Sequence, residues 1–132
     1  MGGALFCFAS LVHNEAWCRF ASMSTPVLYI MPKRGAYVAM AIWPVILHKR
    51  GRTITPETLN HELIHHAQQK ELWLVGFYPL YLFYFLRNYW RLRDWNLAYS
   101  AIPFEAESHA NENNYSYLKT RPRMAWRKKV RA

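Results

Sequence analysis

A chain of 132 residues has room for one modest core and one compact site, and nothing in its composition marks a second domain. Its formal charge of +9 suits an anionic partner, either nucleic acid or a membrane surface, and 17% aromatic residues is heavy for a soluble domain this small. Cys7 and Cys18 form no CxxC pair and at most one bridge, which excludes a disulfide framework and a cysteine-ligated zinc site and makes a reducing compartment the expectation.

Residues 1–24 carry a short apolar patch without a basic start or a clean small-residue cleavage site, so they resemble no targeting signal. Met23, Met31 and Met40 could each be a start, and the segment is expected to be an extension outside the fold. From Pro26 the pattern turns strand-like: VLYIM, then PKRG at Pro32 to Gly35, then AYVAMAIWPVILH. Two β-rich runs around a glycine-containing turn predict a β-hairpin. Pro44 removes a ladder donor from the second run, which argues for an edge strand or a bulge. An edge strand over Ala36 to Trp43 could hold an extended peptide.

Thr55-Pro56-Glu57 predicts a helix start, with Thr55 as N-cap, Pro56 at the first position and Glu57 against the positive end of the dipole. The helix should run at least to Gln69, with Leu59, Leu63, Ile64 and Ala67 as its apolar face. Leu72 to Leu86 is an apolar and aromatic run of 15 residues, short of the roughly 20 that a spanning helix needs. Gly76 and Pro79 should kink it. Two readings stay open, a core or interfacial helical hairpin and a true span. After RDWN, Ile102-Pro103 predicts another helix start, leading into FEAESHANENNYSYL.

The location of the charge separates the two anionic partners. Arg87, Arg91 and Arg93 follow the apolar run directly, and Lys119, Arg121, Arg123, Arg127, Lys128, Lys129 and Arg131 gather at the end, forming a basic tail over 120–132. Basic flanks on a greasy segment favour a membrane surface, and no nucleic-acid partner is expected.

The chemistry concentrates in LNHELIHHAQQ, where His61-Glu62-Leu63-Ile64-His65 matches HExxH. On a helix, positions i and i+4 lie about one turn apart on one side, so both imidazoles can reach one ion. Glu62 stands about 100° round from His61, beside the ion, where it can take a proton from water. His66 is turned away from the pair, towards a supporting or surface role, and Gln68 and Gln69 receive no chemistry. A catalytic zinc site needs a third protein ligand. Glu107, Ala110 and Asn111 share one helix face and offer a carboxylate ligand, a small residue for close helix approach, and an amide to steady a ligand histidine. Glu105 is the fallback ligand, with His109 behind it. Tyr115, Tyr117 and His109 are the candidates for stabilising a developing oxyanion.

HELIH followed by FEAESHAN resembles the gluzincin pattern of small membrane-associated zinc metallopeptidases, HExxH plus a glutamate in an ExxA[DN] helix. It is also similar to a short uncharacterised bacterial family with NHExIHxxQQ, an aromatic-rich run and FExEAxAN. The resemblance covers about Tyr29 to Lys119. It implies His61, His65 and Glu107 as zinc ligands, Glu62 as general base, and Asn111 behind a ligand. The implied fold is α+β and mostly helical: a minimal zincin-like core of N-terminal β-hairpin, HExxH helix, aromatic apolar helical segment and Glu-bearing helix. It would form one domain over 25–119, with a membrane-associated segment at 72–93. The expected function is zinc-dependent hydrolysis of a peptide or protein at a bacterial membrane, on its cytoplasmic side; a non-catalytic zinc-binding scaffold or accessory protein is the alternative.

Overall fold

The computed structural model describes residues 25–31 and 37–131. The expected extension 1–24 and the expected turn at Pro32 to Gly35 lie outside the described residues. Among the described residues the chain is α+β and mostly helical, as the sequence predicts. Strands β1 (Val27–Met31), β2 (Ala39–Ile42) and β3 (Val45–Lys49) precede helices α1 (Pro56–Glu71), α2 (Phe77–Leu92), α3 (Trp95–Ser100), α4 (Pro103–Asn111) and α5 (Tyr117–Thr120). A 3-10 helix, Ala125–Arg131, follows.

The strand pairing differs from the expected hairpin. The sheet order is β1-β3-β2. The long second run breaks at Trp43-Pro44, and its halves pair antiparallel, from Ala39 opposite His48 to Ile42 opposite Val45. Pro44 therefore lies in the connection, where its missing N–H leaves no gap in a ladder. VLYIM then pairs parallel to β3, with Val27 opposite Ile46 and Leu28 opposite Leu47. The central strand is thus β3, whose Ile46 and His48 are fully buried, and β2 is an edge strand as expected.

Helix α1 starts as predicted: the Thr58 N–H donates to Thr55 Oγ1 at 3.2 Å, with Pro56 following the cap. It runs past Gln69 to Glu71. Its burial is unusual, because Asn60, His61, Glu62, His65, His66, Gln68 and Gln69 are all buried, alongside Ile64. An apolar stripe is thus not what docks this helix.

The apolar run divides rather than kinking. α1 ends with Leu72 as its C-cap, a turn follows, and Gly76 caps the start of α2. A Cβ on Gly76 would stand 2.7 Å from the Leu72 carbonyl oxygen, so only glycine fits this close return. Pro79 falls in the first turn of α2, where a missing N–H costs nothing. Among the described residues no helix is long and apolar enough to cross a membrane. One face of α2 instead joins the core, in which Phe77, Ile102, Phe104 and Trp126 form the buried centre and Tyr81, Tyr84 and Phe85 pack around it.

The segment expected as a basic tail is partly built into this core. The Trp126 and Phe104 rings lie 4.7 Å apart between centroids. Arg121 is a buried cation between two helices: Nη1 donates to Glu71 Oε1 at 2.6 Å and Nε to Glu107 Oε1 at 2.5 Å. Its Nη2 completes both forks, to Glu71 Oε2 at 3.1 Å and Glu107 Oε2 at 3.2 Å. Burial opposes its charge, but the two carboxylates outweigh that and hold the guanidinium above its ordinary range. Removing one partner of such a cluster strands the other charges in low dielectric. Arg121→Gln should therefore cost about 3–5 kcal/mol in urea unfolding, whereas Arg127→Gln, at an exposed position, should fall within about 0.5 kcal/mol of the parent. Equal effects from the two would rule out the buried cluster as a determinant of stability.

Candidate metal centre

The helical register of α1 aims His61 and His65 in one direction, and α4 brings a carboxylate to meet them. His61 Nε2 and His65 Nε2 are 3.1 Å apart. Glu105 Oε2 lies 3.3 Å from His61 Nε2, and Glu105 Oε1 lies 3.2 Å from His65 Nε2. All three residues are buried and converge so closely that they could hold one metal ion. Glu105 Oε2 also has no hydrogen-bond partner despite its burial, a costly condition that a cation at this point would relieve.

The outer nitrogens of both histidines are engaged by acceptors. His61 Nδ1 donates to Glu112 Oε2 at 3.1 Å, and His65 Nδ1 donates to Gln68 Oε1 at 2.8 Å. Gln68 cannot turn its amide round, because Nε2 donates to the Phe104 carbonyl and to Glu107 Oε2, both at 3.1 Å. With each Nδ1 carrying a proton, the neutral form of each ring, the form a metal ion takes, turns an Nε2 lone pair to the cluster. Glu105 is fixed in turn by Tyr81, whose hydroxyl donates to Oε1 at 2.7 Å.

Comparison with protein-family models, with curated proteins and with solved structures finds no match. The geometry of the chain itself therefore carries the reading of this centre.

The structure brings His61 and His65 together as the spacing predicts, with Glu62 near enough to feel both rings, but it puts Glu105 where Glu107 was expected. Glu107 stands about 200° round α4 from Glu105, and its carboxylate is taken by Arg121, Gln68 and the Tyr117 hydroxyl. Burying a carboxylate next to that guanidinium is far cheaper than leaving both unpaired. Asn111 does not reach a ligand histidine either. Its amide turns back to the Glu107 carbonyl at 2.8 Å. The residue that ties the end of α4 to α1 is Asn60, whose Nδ2 donates to the carbonyls of Asn111, Glu112 and Asn114.

Of the three oxyanion candidates only His109 stands at the centre. Its ring lies 4.6 Å from that of His61, its Nδ1 donates to Glu112 Oε2 at 3.1 Å, and half of its side chain is exposed. Tyr115 donates to Glu57 and Tyr117 to Glu107. His66 is a buried structural residue rather than a surface one, with Nε2 donating to the Val45 carbonyl at 3.1 Å. Burial holds its pKa below the ordinary histidine range.

Glu62 faces β2. The bonded Val38–Lys49 pair fixes the ladder so that Ala39, Ala41 and Trp43 point their backbone groups to the open edge. Most of that edge is already occupied. The Ala41 N–H reaches Glu62, while Gln69 donates to the Ala41 carbonyl and accepts from the Trp43 N–H, both at 2.8 Å. Burial raises the Glu62 pKa, and the neighbouring histidines oppose that rise only in part.

Burial disfavours the charged form of His65, but Glu105 outweighs it and pushes the pKa up to about 9. Burial likewise works against the Glu105 carboxylate, and its histidine partners overcome this and hold its pKa well below the usual range. The His65 shift gives a sign to stability. A histidine with a folded-state pKa near 9 and an unfolded value near 6.5 stabilises the fold fully below the lower value and loses that contribution between the two. Chelator-treated protein should thus melt at progressively lower temperature as pH rises from about 6.5 to about 9. Added divalent metal, which needs the deprotonated imidazole, should reverse that trend. A metal-free melting temperature that climbs across this interval would contradict the His65–Glu105 pair.

Proposed function

We propose that this protein is a zinc-dependent hydrolase, a metallopeptidase working at a membrane surface, in which His61, His65 and Glu105 hold the ion and Glu62 is the general base. The convergence of three donors with a fixed outer sphere carries this reading. Zinc–ligand bonds of about 2.0–2.1 Å imply tetrahedral edges of about 3.3–3.4 Å. The 3.1 Å between the two Nε2 atoms is close to such an edge, and Glu105 turns one oxygen to each ring, Oε1 at 3.2 Å from His65 Nε2 and Oε2 at 3.3 Å from His61 Nε2. Two histidines and one carboxylate with a fourth position for water is also a known donor set of catalytic zinc.

When bound, such an ion brings the pKa of its water down toward about 7 and polarises a carbonyl. The residues of this chain would do the rest. Glu62, held by the Ala41 N–H and raised in pKa by burial, accepts a proton from water and passes it to the leaving group. His109, beside His61 at the exposed side of the cluster, in its doubly protonated form keeps Nδ1–H on Glu112 and supplies Nε2–H to the charge that develops on the substrate oxygen. Glu112 and Gln68 keep the two ligand rings in register. A membrane setting is supported by the exposed Trp73, Val75, Phe83 and Trp90 and by the arginines that follow them. The proposed substrate is a peptide or protein segment.

One observation favours the second reading, a zinc-holding scaffold that cleaves nothing. Gln69 and Glu62 already cover the outward backbone groups of Ala41 and Trp43. An extended peptide pairing with β2 would be confined to the Ala39 end.

Metal analysis of the purified protein tests both readings. We expect one zinc per chain, its loss in His61→Ala, His65→Ala or Glu105→Gln, and its retention in Glu107→Gln with affinity lowered by about 10–100-fold through Gln68. Loss of zinc in Glu107→Gln with retention in Glu105→Gln would reverse the assignment of the third ligand. Glu62→Gln should keep the metal and lose hydrolysis by at least about 100-fold. Undiminished hydrolysis in that variant would remove Glu62 as the base, and absence of hydrolysis in the parent would favour the scaffold.

A further inference from the structure

Two features of α2 have no part in the metal centre. The first is a cavity of about 220 Å³ lined by Tyr84, Arg87, Asn88, Arg91 and Leu92 of α2, by Ala101 and Pro103, and by Lys129 and Val130. Three of its lining residues are cations and none is acidic. Among the described residues, none of Arg87, Arg91 and Lys129 is ion-paired; the one buried arginine cluster is that of Arg121. The only part of α4 in the wall is Pro103, at its first position, which contributes no charge. A site of this kind attracts a compact dianion or monoanion with several oxygens. Two guanidinium forks four residues apart suit a phosphate group better than a single carboxylate.

The second feature is an apolar band on the other side of the same helix. At about 100° per residue, Leu82, Phe83, Leu86, Tyr89 and Trp90 fall within one arc. It lies opposite the Phe77, Tyr81 and Tyr84 face that packs on Phe104 and Trp126. Leu82, Phe83 and Leu86 are each more than half exposed, and Trp90 is 72% exposed. Arg93 lies over the Trp90 ring at 4.9 Å, a cation on an aromatic at the end of an apolar stretch, as occurs at membrane interfaces. Arg87 and Arg91 border the arc on the side leading to the cavity. An apolar band with cations along its border is the pattern of a helix lying in an interface rather than crossing it.

We infer that the Arg87–Arg91–Lys129 cavity binds the headgroup phosphate of an anionic phospholipid while the Leu82–Leu86–Trp90 band of α2 rests among the acyl chains. The inference rests on the membrane setting proposed above and is independent of the metal. A soluble phosphate compound would engage the three cations but leave the band in water, and a helix buried in a protein partner would not need three cations gathered in one hollow.

Vesicle flotation of the full chain tests this. The vesicles are neutral phosphatidylcholine alone or phosphatidylcholine with about one-third phosphatidylglycerol, each with and without inorganic phosphate matching the lipid phosphate. We expect preference for the anionic vesicles, no competition by inorganic phosphate, and about 100-fold weaker binding of Arg87→Gln/Arg91→Gln/Lys129→Gln, from about fivefold per cation. Leu82→Ser/Leu86→Ser/Trp90→Ser should lose binding to both kinds of vesicle. Should the triple charge variant fail to fold, Arg87→Gln and Arg91→Gln singly, each expected to weaken binding about fivefold, carry the same test. Anionic preference that survives the charge variants would overturn the headgroup site and leave the membrane setting standing. Competition by inorganic phosphate would overturn the lipid in favour of a free phosphate. Failure to bind either vesicle would overturn both the site and the setting.

Discussion

The structure depends on one constraint, the cost of burying the polar side chains of α1. Each amide, imidazole or carboxylate removed from water without a partner costs on the order of 1–3 kcal/mol, and a charge costs more. Nearly every one is answered by a different element. Asn60 reaches the end of α4, His61 and His65 meet Glu105, and Glu62 meets β2. His66 meets β3, Gln68 meets α4, and Gln69 meets β2. The helix therefore docks by directional bonds. Such bonds fix its rotation and height more tightly than a greasy stripe would, and that precision is what a three-donor cluster requires.

The two glutamates of α4 divide the work of joining the helices. Glu105 turns to the histidines, and Tyr81 of α2 holds it there. Glu107 turns to Arg121, which also grips Glu71 at the end of α1. Through Gln68 the second carboxylate acts on the first group, because the amide orientation that suits Glu107 is the one that offers an oxygen to His65. A chain only 132 residues long thus ties its candidate metal centre and its structural ion cluster together through one glutamine side chain.

Much of this was legible in the chain. The start of α1, the proline start of α4, the HExxH pair and the edge position of β2 follow from local rules of capping, period and proline chemistry. The failures are all long-range. Glu105 and Glu107 are equally good carboxylates on one short helix, and what separates them is Arg121, many residues later and folded back by Trp126. No spacing rule announces that pairing. Likewise the two glutamines at the end of α1 look like helix surface until β2 and α4 are in place. The hairpin failed because a proline in a β-rich run leaves open whether the strand bulges or turns, and here it turns.

Gln69 has a further consequence for the sheet. Its carboxamide donates to one backbone carbonyl of β2 and accepts from the N–H two residues on, the pattern that the backbone of an adjoining strand would present. The sheet is closed on that side by a single side chain, as if by a one-residue fourth strand. An open ladder in a chain this rich in aromatic residues would invite the next copy to add itself. The same glutamine thus covers the backbone groups that either an extended peptide or a second copy of this sheet would need.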